Sequence, residues 1–298
     1  MAHTLYTPEQ AARATIASIR WLSGLTRTVR QDFSTEFVAG RGQTVNVRRP
    51  ISAGKAKVYT KAQRTAREAI QFNELTETWF PVTLEDQVYN AVRLPDDFAT
   101  FSLMDLTRQV LRPQAESVVD ELAAPLVTQM TAIATDAAIP TIDPDGSNFR
   151  QALIQARKVL NDRHVPAVGR TFAVGSGMEA AALSDELLQK QNESGTSETL
   201  RNATIGRLFG FTIISDPALP EDFGIGYHRD AFAHVTRPSR EPEGAAKSAT
   251  VAQDGFALRW IQHYNPLQLE DQSVVDTFFG ADTLEASFAV SASLTETP

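Results

Sequence analysis

The segment "WFPVTLEDQVYNAVRL", Trp79 to Leu94, places Phe80, Val82, Leu84, Val88, Val92 and Leu94 on even-numbered positions. Alternation with period two puts these side chains on one face of an extended chain, the pattern of a half-buried strand. Upstream, Val45 and Val47 alternate in the same way until Pro50 ends the run. Between the two lies "ISAGKAKVYTKAQRTAREAIQF", residues 51–72, which is basic, mixed and without a clear period. Long connections inside compact domains are usually functional or disordered. A protruding two-stranded loop is therefore expected. An isolated hairpin is marginal in water, so this one calls for support from another subunit.

Charge sharpens that expectation. Residues 1–75 hold 12 Lys and Arg against 5 acidic residues, so they net +7 in a chain of net charge −8 and the remainder nets −15. A basic first quarter on an acidic body can touch nucleic acid or lie across another copy of the same chain. The basic residues are dispersed and lack interleaved aromatics, which argues against a nucleic-acid surface. Arg48, Arg49, Lys55, Lys57, Lys61, Arg64 and Arg67 become candidate contacts between copies.

The first helix is signalled by Thr7-Pro8-Glu9-Gln10, with Thr7 as cap, Pro8 in the first turn and Gln10 closing a capping box. Ile16, Ile19, Leu22, Leu25, Val29 and Phe33 then recur at helical spacing. The stripe packs either within its own chain or, as an arm, on a neighbour. In the second case Ile16, Ile19 and Leu22 join the candidate contacts.

Farther on, Val118, Val119, Leu122, Leu126, Met130 and Ile133 form a long apolar stripe. Pro113 and Pro125 forbid a straight helix there. A short helix ending near Pro113 is expected, then a long one kinked near Pro125. "PTIDPDG", Pro140 to Gly146, reads as a turn, and Phe149, Leu153, Ala156 and Leu160 mark another helix. Phe172 to Val174 and the run around Phe211 are short buried strands, with a helix after the first. "FALRWIQHYNPLQLED", Phe256 to Asp271, reads as one long strand, and the tail from Ala286 as irregular. The fold class is α+β, without βαβ units or short repeats.

Catalytic equipment is sparse. The chain has no cysteine, which excludes disulfides, thiolate metal sites and Cys nucleophiles. His3, His164, His228, His234 and His263 lack metal-ligand spacing. Asp143-x-Asp145-Gly146 fails the calcium-loop pattern, because the glycine follows too soon and the distal Glu is missing. "SAGK", Ser52 to Lys55, is too short for a phosphate loop. No cofactor is expected. The opening "MAHTLYTPEQAARATIASIRW" has no signal-peptide pattern, and no segment approaches a membrane span, so a cytoplasmic soluble product without membrane contact is the expectation.

The order of these parts resembles the major capsid (coat) proteins of tailed bacteriophages, which share the Johnson fold. "GQTVNVRRP" and "WFPVTLEDQVYNAVRLPDDFATFSL" look like the two edges of the family's extended E-loop. "LRPQAESVVDELAAPLVTQM" is similar to its spine helix, and "DRHVPAVGRTFAV" to the passage from peripheral to axial domain. "IGRLFGFTIISDPALP" is similar to a buried axial segment, and "GFALRWIQHYNP" with "FFGADTLE" to the returning C-terminal strand. The resemblance implies an N-terminal arm at 1–42, an E-loop at 43–95, a peripheral domain with the spine helix at 96–165 and an axial domain at 166–257. A C-terminal strand returning to the peripheral domain, with a tail, would occupy 258–298.

It also implies a structural role without catalysis. Copies would assemble as hexamers and pentamers into an icosahedral shell in the virion, built in the host bacterial cytoplasm. A scaffolding protein, a portal and a decoration protein are the implied partners, and packaged double-stranded DNA is touched only weakly and non-specifically. Lys55, Lys57 and Lys61 stand where some relatives carry a crosslinking Lys. An encapsulin-like compartment enclosing cargo enzymes has the same fold and is the alternative. An enzyme with a scattered site and a nucleic-acid-binding protein are the other rivals.

Overall fold

The computed structural model describes residues 24–31, 44–48, 56–73, 79–84, 86–97, 107–184, 206–253 and 256–295. The alternation of Trp79–Leu94 persists through the segment, but two sheets share it. Strand β2 (Trp79–Thr83) pairs antiparallel with β1 (Thr44–Arg48), with Val45 opposite Val82 and Arg48 opposite Trp79. After Leu84 the chain enters β3 (Asp86–Pro95), which belongs to a five-stranded sheet. Val82, Leu84 and Leu94 are buried, while Pro81, Thr83, Tyr89, Ala91 and Arg93 on the odd face are exposed.

That first sheet is organised by β11 (Glu270–Thr283). One edge of β11 pairs with β3 from Glu270 to Phe279. Its other edge is divided: residues 270–276 pair with β10 (Phe256–Asn265), and residues 278–283 with β8 (Phe232–Arg237). Strand β9 (Lys247–Gln253) extends the sheet beyond β10. The single strand expected over Phe256–Asp271 is thus a hairpin. Pro266 and Leu269, the latter at φ 51°, lie in the turn that reverses it.

A two-part helix lies on this sheet. The chain makes a π-helical turn at Thr107–Leu111, then α2 (Arg112–Leu122) and α3 (Ala124–Thr131); α1 (Lys61–Ala66) lies in the long loop. A short helical element does end near Pro113: the π-helical turn stops at Leu111, and Pro113 occupies the first turn of α2, a position that tolerates a missing N–H. Pro125 does interrupt the stripe, and the two segments meet at Ala123. Leu111, Ala115, Val118 and Leu122 pack against Leu258, Trp260, Val275 and Phe279. A buried polar chain fixes the seat: Trp260 Nε1 donates to Ser273 Oγ (3.0 Å), which donates to Gln114 Oε1 (2.8 Å), while Gln114 Nε2 donates to the Ser273 carbonyl (3.0 Å).

The second sheet has the order β12-β7-β4-β6-β5, formed by β12 (Ala289–Ser293), β7 (Phe223–His228), β4 (Arg170–Val174), β6 (Phe211–Ser215) and β5 (Arg207–Leu208). Only β4 and β6 run parallel. One face takes helix α4 (Phe149–Asp162), whose Phe149, Leu153, Ala156 and Leu160 meet Phe172, Phe211 and Ile213. Helix α5 (Ser176–Ser184) follows β4 and adds Met178, Ala181 and Ala182 to that core. Gly175, between β4 and α5, sits where a Cβ would collide with the Pro220 carbonyl, so the backbone approach that seats α5 needs a glycine there. The opposite face, with Ile225 and Tyr227, covers Leu126 and Met130 of α3.

Three connections join the sheets. Strands β7 and β8 are separated only by a 3-10 turn at Arg229–Ala231, yet they belong to different sheets. The tail expected to be irregular from Ala286 instead turns at Ala286–Phe288 and adds β12 to the edge of β7. Residues 24–31 do not continue the helical period drawn from Ile16 to Phe33. They make a 3-10 turn at Thr26–Thr28, and Arg30 then bridges Ala233. Leu25 and Val29 are fully buried against Leu126, Met130 and Tyr227, so this part of the stripe packs within its own chain. Leu25 N donates to Asp216 Oδ2 (3.1 Å), and the Thr28 and Tyr227 hydroxyls are hydrogen-bonded.

Candidate self-association interface

The long loop has a root and a tip with opposite behaviour. At the root, Val82 and Leu84 are buried with Ala233, Val235 and Leu284, and Phe80 packs against the same group. Gly280 of β11 permits this approach, because a Cβ there would collide with the Thr83 carbonyl. The expectation that the Phe80 face needs another copy to cover it is therefore corrected at the root, where the chain covers it itself.

The tip, residues 56–73, is almost wholly exposed. It is nevertheless locally organised. Thr60 and Gln63 form a reciprocal capping box at the start of α1, with Gln63 Oε1 accepting from Thr60 N at 2.9 Å. Arg67, at φ 51°, closes the helix as a left-handed cap, and Glu68 N donates to the Gln63 carbonyl (3.0 Å). The Tyr59 hydroxyl donates to the Glu68 carbonyl (2.7 Å). A helix of six residues does not persist on intrinsic propensity; its caps hold it.

Val58 and Phe72 are 84% and 85% exposed, and Ile70 is 61% exposed. Lys57, Lys61, Arg64 and Arg67 are exposed on the same segment, with Glu68 as the acidic member of the described tip, and Val58 and Ile70 line one cleft with Lys57, Tyr59 and Gln63. Exposed apolar side chains on a basic element are the composition of an interface. Acidic side chains lie on α2, where Asp120 and Glu121 are exposed and Glu116 is half-buried.

Lys57, Lys61, Arg64 and Arg67 are all exposed on the tip. Arg48 lies in β1 opposite Trp79. Ile16, Ile19, Leu22, Arg49 and Lys55 lie outside the described residues. Sequence reasoning passed over Val58, Ile70 and Phe72, because apolar residues without a period carry no burial signal of their own.

The polar residues that invite a chemical reading have structural partners. His228 Nε2 lies 3.0 Å from the Val168 carbonyl, and its ring stands perpendicular to that of Phe288 with centroids 5.8 Å apart. His234 is fully buried in the other sheet with Nε2 3.1 Å from the Leu122 carbonyl, and burial pushes its pKa down to about 4. Asp145 caps its turn by accepting from Ser147 N (2.9 Å), and that bond holds its carboxyl below the usual range. Among the described residues no group of three or more His, Asp or Glu is arranged to hold a metal ion, and no helix is long and apolar enough to cross a membrane.

No family model and no curated protein matches the chain. Solved structures do. One from Mycobacterium phage Che8 superposes with a TM-score of 0.64 at 16% identity, over 89% of each chain. The mature capsid of bacteriophage PhiM1 gives 0.61 at 11% identity, over 87% of this chain and 84% of that one. A virus-like particle from Pyrococcus furiosus gives 0.54 at 12% identity, over 95% and 97%. Two sheets bridged by a broken helix, with a long loop rooted on one of them, thus have the α+β architecture of the tailed-phage capsid proteins, the Johnson fold.

Proposed function

We propose that the chain is the major capsid protein of a tailed bacteriophage, and that its copies assemble as hexamers and pentamers into an icosahedral shell around double-stranded DNA. The role is structural. The observation that carries it is the loop tip: Val58, Ile70 and Phe72 are exposed on a capped, basic element that the other described residues leave uncovered. The β1–β2 excursion, residues 44–83, acts as the extended loop, the first sheet with α2 as the peripheral domain, and the second sheet with α4 and α5 as the axial domain. A scaffolding protein, a portal and a decoration protein are the partners this role calls for, with assembly in the host cytoplasm.

Contacts of this kind are heterologous and close by symmetry. Complementary charge sets their orientation and rate as much as their affinity. A compartment shell enclosing cargo enzymes is the competing reading. The phage reading is preferred because the superposition on Che8 and PhiM1 is closer than that on the Pyrococcus furiosus particle. Negative-stain electron microscopy of the purified protein tests the shell. Closed shells or hexamer and pentamer plates are expected, and a strictly monomeric protein, even with its scaffold supplied, would overturn the reading. Co-purification of a cargo enzyme in place of packaged DNA would move the chain to the competing one.

A further inference from the structure

The segments that cross between the two sheets meet at one corner. The turn at Arg229–Ala231 carries β7 into β8, the turn at Ala286–Phe288 carries β11 into β12, and residues 24–31 reach from Asp216 to Ala233. Leu284 N and Glu285 N both donate to the Ala231 carbonyl, at 2.8 and 3.1 Å. Arg30 N donates to the Phe232 carbonyl (3.2 Å), and His234 N donates to the Arg30 carbonyl (3.0 Å).

His228, the last residue of β7, is buried at this corner. Its Nδ1 accepts from Asp230 N (3.2 Å), which shapes the turn into β8. A ring nitrogen that accepts carries no proton, so the hydrogen of the neutral ring lies on Nε2 and is donated to the Val168 carbonyl (3.0 Å). The ring also stands perpendicular to Phe288, in the turn before β12. The Asp230 carboxylate faces two cation positions: Oδ2 lies 3.6 Å from His228 Nδ1, and Oδ1 lies 4.0 Å from Arg30. One imidazole therefore touches the approach to β4 and both turns, and reaches residues 24–31 through Asp230.

This seat suits the neutral ring. A proton added at Nδ1 takes away the acceptor of Asp230 N and brings a new charge into the corner. Arg170 is the cross-strand partner of His228 on the same face, with its guanidinium on the Val165 and Pro166 carbonyls at 2.6 and 2.9 Å. Beside the turn before β12, Arg163 is paired with Asp136 (2.8 Å), and Glu285 accepts from Ser287 Oγ (2.8 Å). Arg229 is exposed. Asp230, at 3.6 Å, is thus the group placed to offset the added charge.

We propose that His228 is a pH-sensitive latch on the crossing between the two sheets. Histidine is the side chain whose ordinary charge change falls between pH 5 and 8. The neutral ring holds the 229–231 turn through Nδ1 and leaves Asp230 beside Arg30. The protonated ring releases Asp230 N and draws the carboxylate away from Arg30, so residues 24–31 lose their ion pair with the turn. Acid thereby loosens the hold of one sheet on the other while each sheet keeps its own hydrogen bonds. The proton has access, because the Asp230 side chain is 42% exposed. The latch is built from contacts inside one chain and does not depend on shell assembly.

Hydrogen exchange read by mass spectrometry at pH 7.5 and pH 5.0, corrected for the intrinsic rate at each pH, tests it. In the unchanged chain, exchange over residues 24–31 and 229–235 should quicken by about tenfold or more at pH 5.0, while β10 keeps its protection. His228→Gln retains a donor and an acceptor but takes up no proton, and should show no such difference. Asp230→Asn removes the carboxylate that meets the imidazolium, so the half-point of the response should move to lower pH. His234, with a pKa of about 4, stays neutral at pH 5.0 and does not supply the response. Circular dichroism checks the fold of both variants, and the Asp230→Asn shift decides alone if His228→Gln does not fold. No response in the unchanged chain, a response that persists in His228→Gln, an unmoved half-point in Asp230→Asn, or an equal loss of protection in β10 each overturns the latch.

Discussion

Asp276 on β11 accepts two hydrogen bonds from the Arg259 guanidinium on β10, at 2.8 and 2.6 Å, with the carboxylate side chain only 2% exposed and the arginine 14%. Ser239 Oγ donates to the same carboxylate at 2.9 Å, and Gln87 Nε2 also donates to it. One buried anion thus ties β3, the segment after β8, β10 and β11 together at the face of the first sheet turned away from α2. Asp276→Ala leaves the guanidinium buried without its partner. Loss of about 3–5 kcal/mol is expected, whereas Arg259→Met with Asp276→Leu should cost much less. Urea denaturation of the single and double variants decides it, and an Asp276→Ala chain of unchanged midpoint would refute the pairing.

Gly280 lies under the Thr83 carbonyl, where the loop root meets β11. Gly280→Val should force the root away and destabilise the fold by about 1–3 kcal/mol. Hydrogen exchange at residues 79–84 should accelerate more than at β10. Equal acceleration in both strands would show that the root is not the element displaced.

His234 has a folded pKa of about 4 against an ordinary 6.5, because burial disfavours its charged form. The stability it supports is fully present above pH 6.5. Between pH 6.5 and 4 the unfolded chain takes up a proton that the folded chain does not, so stability falls with pH through that window, by about 3 kcal/mol at most. Replacement by Asn should flatten the difference between stability at pH 7 and pH 4.5. An unchanged slope in the variant would place the acid sensitivity elsewhere.

At the loop tip, Val58, Ile70 and Phe72 are among the exposed large apolar side chains of the described residues. Changing all three to Ser should alter the unfolding midpoint by no more than about 0.5 kcal/mol per site and should abolish assembly. Reversal of Lys57, Lys61, Arg64 and Arg67 to Glu should instead weaken assembly in a salt-dependent way, most at low ionic strength. If the serine variant assembles normally, the tip is not an interface.

The candidate contacts were only half legible in the chain. The cations Lys57, Lys61, Arg64 and Arg67 stand out by charge alone, whereas Val58, Ile70 and Phe72 become informative only when seen to be uncovered.

Periodicity is a local property, and where a period runs unbroken the amino-acid sequence alone determined the face it buries. The even-face alternation of Phe80 to Leu94, the stripe from Val118 to Met130 and the apolar face of α4 each follow from which residues repeat at which interval. Sheet membership was decided only in three dimensions. Nothing in the run Phe223–Arg237 reveals that β7 and β8 part company at Arg229, or that β12 returns to β7. Those choices depend on hydrogen bonds and buried contacts between residues far apart in the chain, such as Leu25 with Asp216 and Gln114 with Ser273. A strand's own sequence specifies which face is apolar, while its partner is selected by whichever distant segment completes the same core.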